Sequence, residues 1–110
     1  MRVRMNGQLQ YAGNNEAVAA RNWFTAWAQR NDAKIDRTRG RNAFESSNIT
    51  PDPDPEVGSC TRQLTFDFYF TLPDNADYNA MMAEIQAAVY DGGVAQARCY
   101  SSLDFSQETD

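Results

Sequence analysis

Leu64, Phe66, Phe68, Phe70 and Leu72 stand at every second position of one stretch, with Thr65, Asp67, Tyr69 and Thr71 between them. A side-chain period of two belongs to a β-strand with one buried face and one wet face. A slip of one residue in its pairing would turn all five apolar side chains to water, so its register is firmly set. The chain must therefore build a sheet with one apolar side around residues 64–72.

The other segments supply partners for that strand. Val3, Met5, Leu9 and Tyr11 share a parity with Gly7, and Arg2, Arg4, Asn6, Gln8 and Gln10 take the other. This predicts a first strand, with Gly7 marking a bulge or a close backbone approach. A helix to about Asn31 is expected next, capped by Asn14 or Asn15. Ala17, Ala20, Phe24, Trp27 and Ala28 form its apolar face, with Trp23 at the edge. Residues 33–44 read as a polar edge strand, where charge blunts unwanted pairing, with a bulge at Gly40 resetting the parity. Residues 45–59, with Pro51, Pro53 and Pro55 at alternate positions, read as an acidic loop. Asp74 or Asn75 is the expected cap of a second helix, buried along Tyr78, Met81, Met82, Ile85, Ala88 and Val89 and closed by Gly92-Gly93. A last strand is expected from Val94 to Phe105, with a frayed polar tail at 106–110.

The order is β-α-β-β-α-β in a single domain of 110 residues. Two crossovers of fixed hand are satisfied by a four-stranded antiparallel sheet of order 4-1-3-2 with both helices on one face. This α+β arrangement resembles the ferredoxin-like fold in topology over nearly the whole chain. The fold hosts many unrelated functions, so the resemblance implies none.

Charge and residue types narrow the chemistry. The net charge is −5, unlike a general nucleic-acid binder. It is unevenly spread: residues 1–41 hold eight basic and three acidic residues, a net of +5, whereas residues 42–110 hold two and twelve, a net of −10. There is no histidine, and Cys60 and Cys99 form no CxxC pair, so no metal or cofactor site is expected. Asp52, Asp54 and Glu56 alternate with prolines that prevent a calcium-loop wrap. In the expected topology the two cysteines sit about two strand spacings apart, roughly 9–10 Å, beyond disulfide reach. Met1 to Gln8 carry no apolar run of a secretory signal. These features predict a cytoplasmic protein with both thiols reduced.

The wet face of the sheet is the most informative surface. It is expected to carry Arg2, Arg4 and Gln8 from the first strand, Tyr69 beside Asp67 from the third, and Arg98 and Tyr100 from the last. Arg37, Arg39 and Arg41 are expected to form a second patch for an acidic group. Asp67 in this setting reads as a solvated or arginine-paired acid rather than a catalytic base. Tyr and Arg are enriched at interface hot spots, so the leading expectation is a non-catalytic module that binds a protein or a second copy of itself. Small phage-encoded inhibitors such as anti-CRISPR proteins are similar in size and charge, and small virion assembly proteins fit equally. Two alternatives use the same surface. One is a single-stranded nucleic-acid-binding domain, although its aromatic residues lie on the opposite parity from the RNA-recognition-motif signature. The other is a small dimeric ferredoxin-like enzyme that encloses an organic substrate.

Overall fold

The computed structural model describes residues 1–41, 49–51, 60–97 and 101–108; the side chains of 35–41 and of Phe68 lie outside that description. The elements run β1 (Arg2–Tyr11), α1 (Asn14–Arg30), β2 (Lys34–Arg41), β3 (Ile49–Pro51), β4 (Arg62–Thr71), α2 (Tyr78–Tyr90) and β5 (Ser102–Glu108). The fold is α+β. Its described strands form one sheet, ordered β2-β4-β1-β5, with β3 also paired to β4. Each described pairing is antiparallel.

β4 is the strand expected from the alternating stretch, and β1 lies beside it in unbroken register from Arg2↔Thr71 to Tyr11↔Arg62. Opposed residues share a face, so Val3 and Leu9 lie on the side of Phe70 and Leu64, and Met5 shares their parity on β1. Both helices bury into that side. Ala17, Ala20, Phe24, Trp27 and Ala28 of α1 and Met81, Met82, Ile85 and Val89 of α2 join one cluster with Val3, Met5, Leu9, Leu64, Phe66 and Phe70. Trp27 meets Phe70 edge-on with ring centroids 5.8 Å apart, and Phe24 meets Phe66 at 6.0 Å. Arg30 near the end of α1 reaches Glu84 of α2 at 2.7 Å, tying the helices side by side. Among the described residues no helix is long and apolar enough to cross a membrane.

Several local expectations are corrected. The sheet has a fifth strand, because Ile49–Pro51 pairs with Leu64, Gln63 and Arg62 inside the segment expected to be loop. Proline is tolerated there because an edge strand leaves alternate donors unused. β2 is an edge strand as expected, and its register shifts between Asp36 and Gly40, so the parity reset occurs where the glycine suggested. α1 is capped by Gly13, in extended conformation and without a side-chain bond, rather than by Asn14 or Asn15. α2 is capped by Asp77, whose carboxylate accepts from the Ala80 amide at 3.1 Å, rather than by Asp74 or Asn75. The closing glycines do take positive φ, +125° at Gly92 and +104° at Gly93.

The last strand moves most. Val94 and Ala95 lie in a turn, and β5 starts at Ser102. Two bonds hold that turn: the Ala97 amide donates to the Val89 carbonyl at 2.9 Å, and the buried Tyr11 hydroxyl donates to the Ala95 carbonyl at 2.9 Å. Ser106–Glu108, expected to fray, instead pair with Arg4–Arg2. The cysteine expectation fails with the strand. Cys60 is fully buried and disulfide-bonded, and the chain holds one other cysteine, Cys99, outside the described residues. The separation expected from strand spacings assumed a strand running through position 99.

Candidate interaction face

The polar parity of the central strands makes one surface. β1 contributes Arg2, Arg4, Asn6 and Gln8. β4 contributes Thr71, Tyr69, Asp67 and Thr65, and β5 contributes Glu108, Ser106, Asp104 and Ser102. The surface narrows at the far end of β1, where Gln63 is buried and its amide donates to the Thr65 hydroxyl at 2.9 Å. It is open from Arg2 to Gln8.

Two arginines organise this face. Arg4 lies opposite Tyr69 but reaches diagonally to Asp67, where Nε donates to Oδ1 and Nη2 to Oδ2, both at 2.8 Å. This forked geometry is specific to guanidinium and carboxylate. Arg2 lies opposite Thr71 and leans the same way. Its guanidinium carbon sits 4.6 Å from the Tyr69 ring centroid, a cation–π distance. Arg2 Nε is also 3.9 Å from the Glu108 carboxylate. Diagonal neighbours on a sheet lie within reach of long side chains.

Titration follows from these pairs. The hydrogen bonds from Arg4 hold the Asp67 carboxyl below its ordinary value, against a smaller opposing effect of burial. The same bonds push the Arg4 guanidinium further up. Both side chains remain more than two-fifths exposed, so solvent screening leaves the pair a small part in stability. Its effect is positional: it fixes the plane of the guanidinium and neutralises a carboxylate beside Tyr69. A shallow cleft of about 120 Å³, lined by Arg4, Asn6, Asp104, Phe105 and Ser106, adjoins the pair.

The residues expected on this face and in the second patch divide into three groups. Arg4 and Tyr69 are brought together, and Asp67 is paired to arginine as expected. Arg98 and Tyr100 lie outside the described residues. Arg37 and Arg39 fall in the segment where the β2 register shifts, Arg41 pairs along the backbone with Asp67, and their side chains lie outside the description. The sequence reading missed Arg2 as the partner of Tyr69, and Asp104 and Glu108 as members of the face. The signal was present, since Ser102, Asp104, Ser106 and Glu108 continue a polar parity opposite Leu103 and Phe105. Among the described residues no three of Asp, Glu and Cys gather as a metal site. Comparison with protein-family models, curated proteins and solved structures finds no match for the chain.

Proposed function

We propose that this chain is a non-catalytic interaction module that binds a protein through the polar face of its sheet, with Tyr69, Arg2 and Arg4 at the centre. One observation carries the reading: a half-buried tyrosine on the polar face is flanked by two arginines already fixed by stacking and by a forked carboxylate pair. Groups held in place before binding lose less freedom when a partner docks. Tyr and Arg are also the residues that most often carry interface energy. On this reading the sheet and its two helices form a ferredoxin-like sandwich. A small phage-type inhibitor, anti-CRISPR-like in kind, or a virion assembly protein suits the size and charge. A cytoplasmic location would require the Cys60 disulfide to survive a reducing pool.

Charge on the face favours protein over nucleic acid. Among the described side chains of the face Asp67, Asp104 and Glu108 outnumber Arg2 and Arg4, so a phosphate backbone would have to displace carboxylates from both arginines. The test is capture of binding proteins on immobilised wild type and on Tyr69→Ala, with thermal unfolding of both. The expected result is a partner retained by wild type and lost with Tyr69→Ala, with melting nearly unchanged. Capture of the same partner by both proteins would remove this face from the reading. Retention of nucleic acid that salt releases would replace the reading with the nucleic-acid alternative.

A further inference from the structure

The two edges of the sheet are treated differently. On one side, β2 carries a register shift and β3 ends in Pro51, both devices that discourage pairing with another chain. On the other side, β5 reads Ser-Leu-Asp-Phe-Ser-Gln-Glu. It has no lysine, no proline and no break in its register. Among the described residues it pairs with β1 alone.

The free backbone groups of β5 can be assigned. A strand residue points its N–H and C=O to the same edge, and successive residues alternate edges. The Tyr11 carbonyl accepts from Thr61, and the Met1 carbonyl accepts from Leu72, so odd residues of β1 face β4. The Gln10 amide donates to the Ser101 hydroxyl, so even residues face β5. Arg4↔Ser106, Asn6↔Asp104 and Gln8↔Ser102 are therefore the hydrogen-bonded pairs. Leu103, Phe105 and Gln107 direct their N–H and C=O groups to the open edge. A cleft of about 400 Å³ lies beside that edge, between Tyr78 and Met82 of α2 and Leu103 and Phe105 of β5.

We infer that this edge pairs antiparallel with the β5 strand of a second copy of the chain, about a two-fold axis at Phe105. Charge excludes the two adjacent registers, and the number of backbone groups used favours this one over those further out. An axis at Asp104 would set Asp104 against its own copy, and an axis at Ser106 would set Asp104 against Glu108; like charges directly opposite destabilise a sheet. The axis at Phe105 sets Asp104 against Ser106 and Ser102 against Glu108, so no two acids meet. It also makes Phe105 against Phe105, and Leu103 against Gln107, the hydrogen-bonded pairs. Every free backbone group of the strand is then used, and two half-buried phenylalanines meet across the axis. Such an isologous contact closes on itself and forms a dimer rather than a fibre.

Mass by light scattering from micromolar to millimolar chain tests this, on wild type and two variants. Gln107→Pro removes one outward donor and leaves the β1 ladder untouched. Ser106→Glu places an acid opposite the copy's Asp104, while Arg4, directly across the ladder within the chain, accommodates it. The expected result is twice the chain mass for wild type and the single-chain mass for both variants, with unchanged far-ultraviolet circular dichroism. Wild type at single-chain mass throughout the range would overturn the inference. So would a dimer that survives both substitutions, since it would use another surface.

Discussion

Gly7→Ala probes the sheet where β1 lies between β4 and β5. Gly7 is buried in mid-β1, with Phe66 opposite on one side and Leu103 on the other, and the register runs through it without a bulge. A Cβ at this position would lie 2.7 Å from the Ser102 carbonyl oxygen, 2.8 Å from Phe66 Cζ and 3.1 Å from Cε2. Optimal carbon contacts lie at about 3.5–4.0 Å, so both strands must give way. The Ser102 oxygen is backbone at the start of β5 and cannot swing aside. The Phe66 ring is 2% exposed and already rests on Phe24, so it has no free volume to enter. Removing a strand glycine gains about 0.5–1 kcal/mol from the unfolded chain. Overpacking costs typically 1–3 kcal/mol and occasionally more, and two hard contacts put this site at the upper end. The expected net loss is about 2 kcal/mol, a fall in Tm of roughly 8–12 °C. Urea and thermal unfolding followed by circular dichroism measure it. Phe66→Leu in the Gly7→Ala background removes the ring contact but keeps the Ser102 clash, so the double variant should recover about 1 kcal/mol relative to additivity. A Gly7→Ala protein as stable as wild type, or strict additivity with Phe66→Leu, would refute the close-approach argument.

Three further outcomes rest on single contacts of the fold. Tyr11→Phe leaves the Ala95 carbonyl without its buried donor and should cost about 1 kcal/mol near neutral pH by urea unfolding. Burial pushes the Tyr11 phenol up, so wild type loses stability as pH rises beyond about 10, where an unfolded tyrosine ionises; the variant's alkaline limb should be flatter. The Asp67 carboxyl is held down by Arg4, so its contribution is present above the unfolded carboxyl value, about 3.9, and is lost as pH falls through the folded value; an acid titration of Tm should show Asp67→Asn and wild type converging at low pH. Reduction, or Cys60→Ser, should lower stability by about 2–4 kcal/mol, and equal Tm with and without reductant would show that the disulfide contributes nothing.

What the sequence disclosed follows from how local each signal is. The apolar faces of β1, β4, α1 and α2 were readable because one buried side repeats with the period of its element. That repetition holds over 10 residues in each strand and 17 and 13 in the helices. Of the expected α1 face every member is buried, and Tyr78 and Ala88 are the two expected α2 residues that stay partly exposed. β5 was misplaced because Ala95, Ala97 and Ser101 mimic an inward parity with small residues that bury little area. The deciding bonds, from Tyr11 to Ala95 and from Ala97 to Val89, are long-range or depend on where the helix ends. Ending the strand at Phe105 also left Glu108 in the expected tail and off the face. Arg4 and Tyr69 were legible as neighbours by parity alone. The fork to Asp67 and the stack of Arg2 were not, because a sequence gives the partner directly across a ladder and not the diagonal lean of a long side chain.

The polar face and the β5 edge are geometrically independent, and together they make a stronger statement than either alone. Residues opposed across an antiparallel ladder point to the same side. A two-fold pairing at Phe105 would therefore set the polar faces of both copies side by side on one surface, with all four helices behind it. Two identical faces held at fixed spacing bind a multivalent target with an effective concentration that a single chain lacks. The substitutions then separate the roles. Tyr69→Ala lies on the face and leaves the edge intact, so it should abolish partner binding while preserving the dimer. Gln107→Pro lies on the edge, with its side chain on the opposite parity from the face, so it should abolish the dimer, preserve one-to-one binding to a partner in solution, and weaken binding to a surface dense in that partner. If Gln107→Pro also removed one-to-one binding in solution, the face could not be complete within one chain, and the partner would have to be read by the joined sheet.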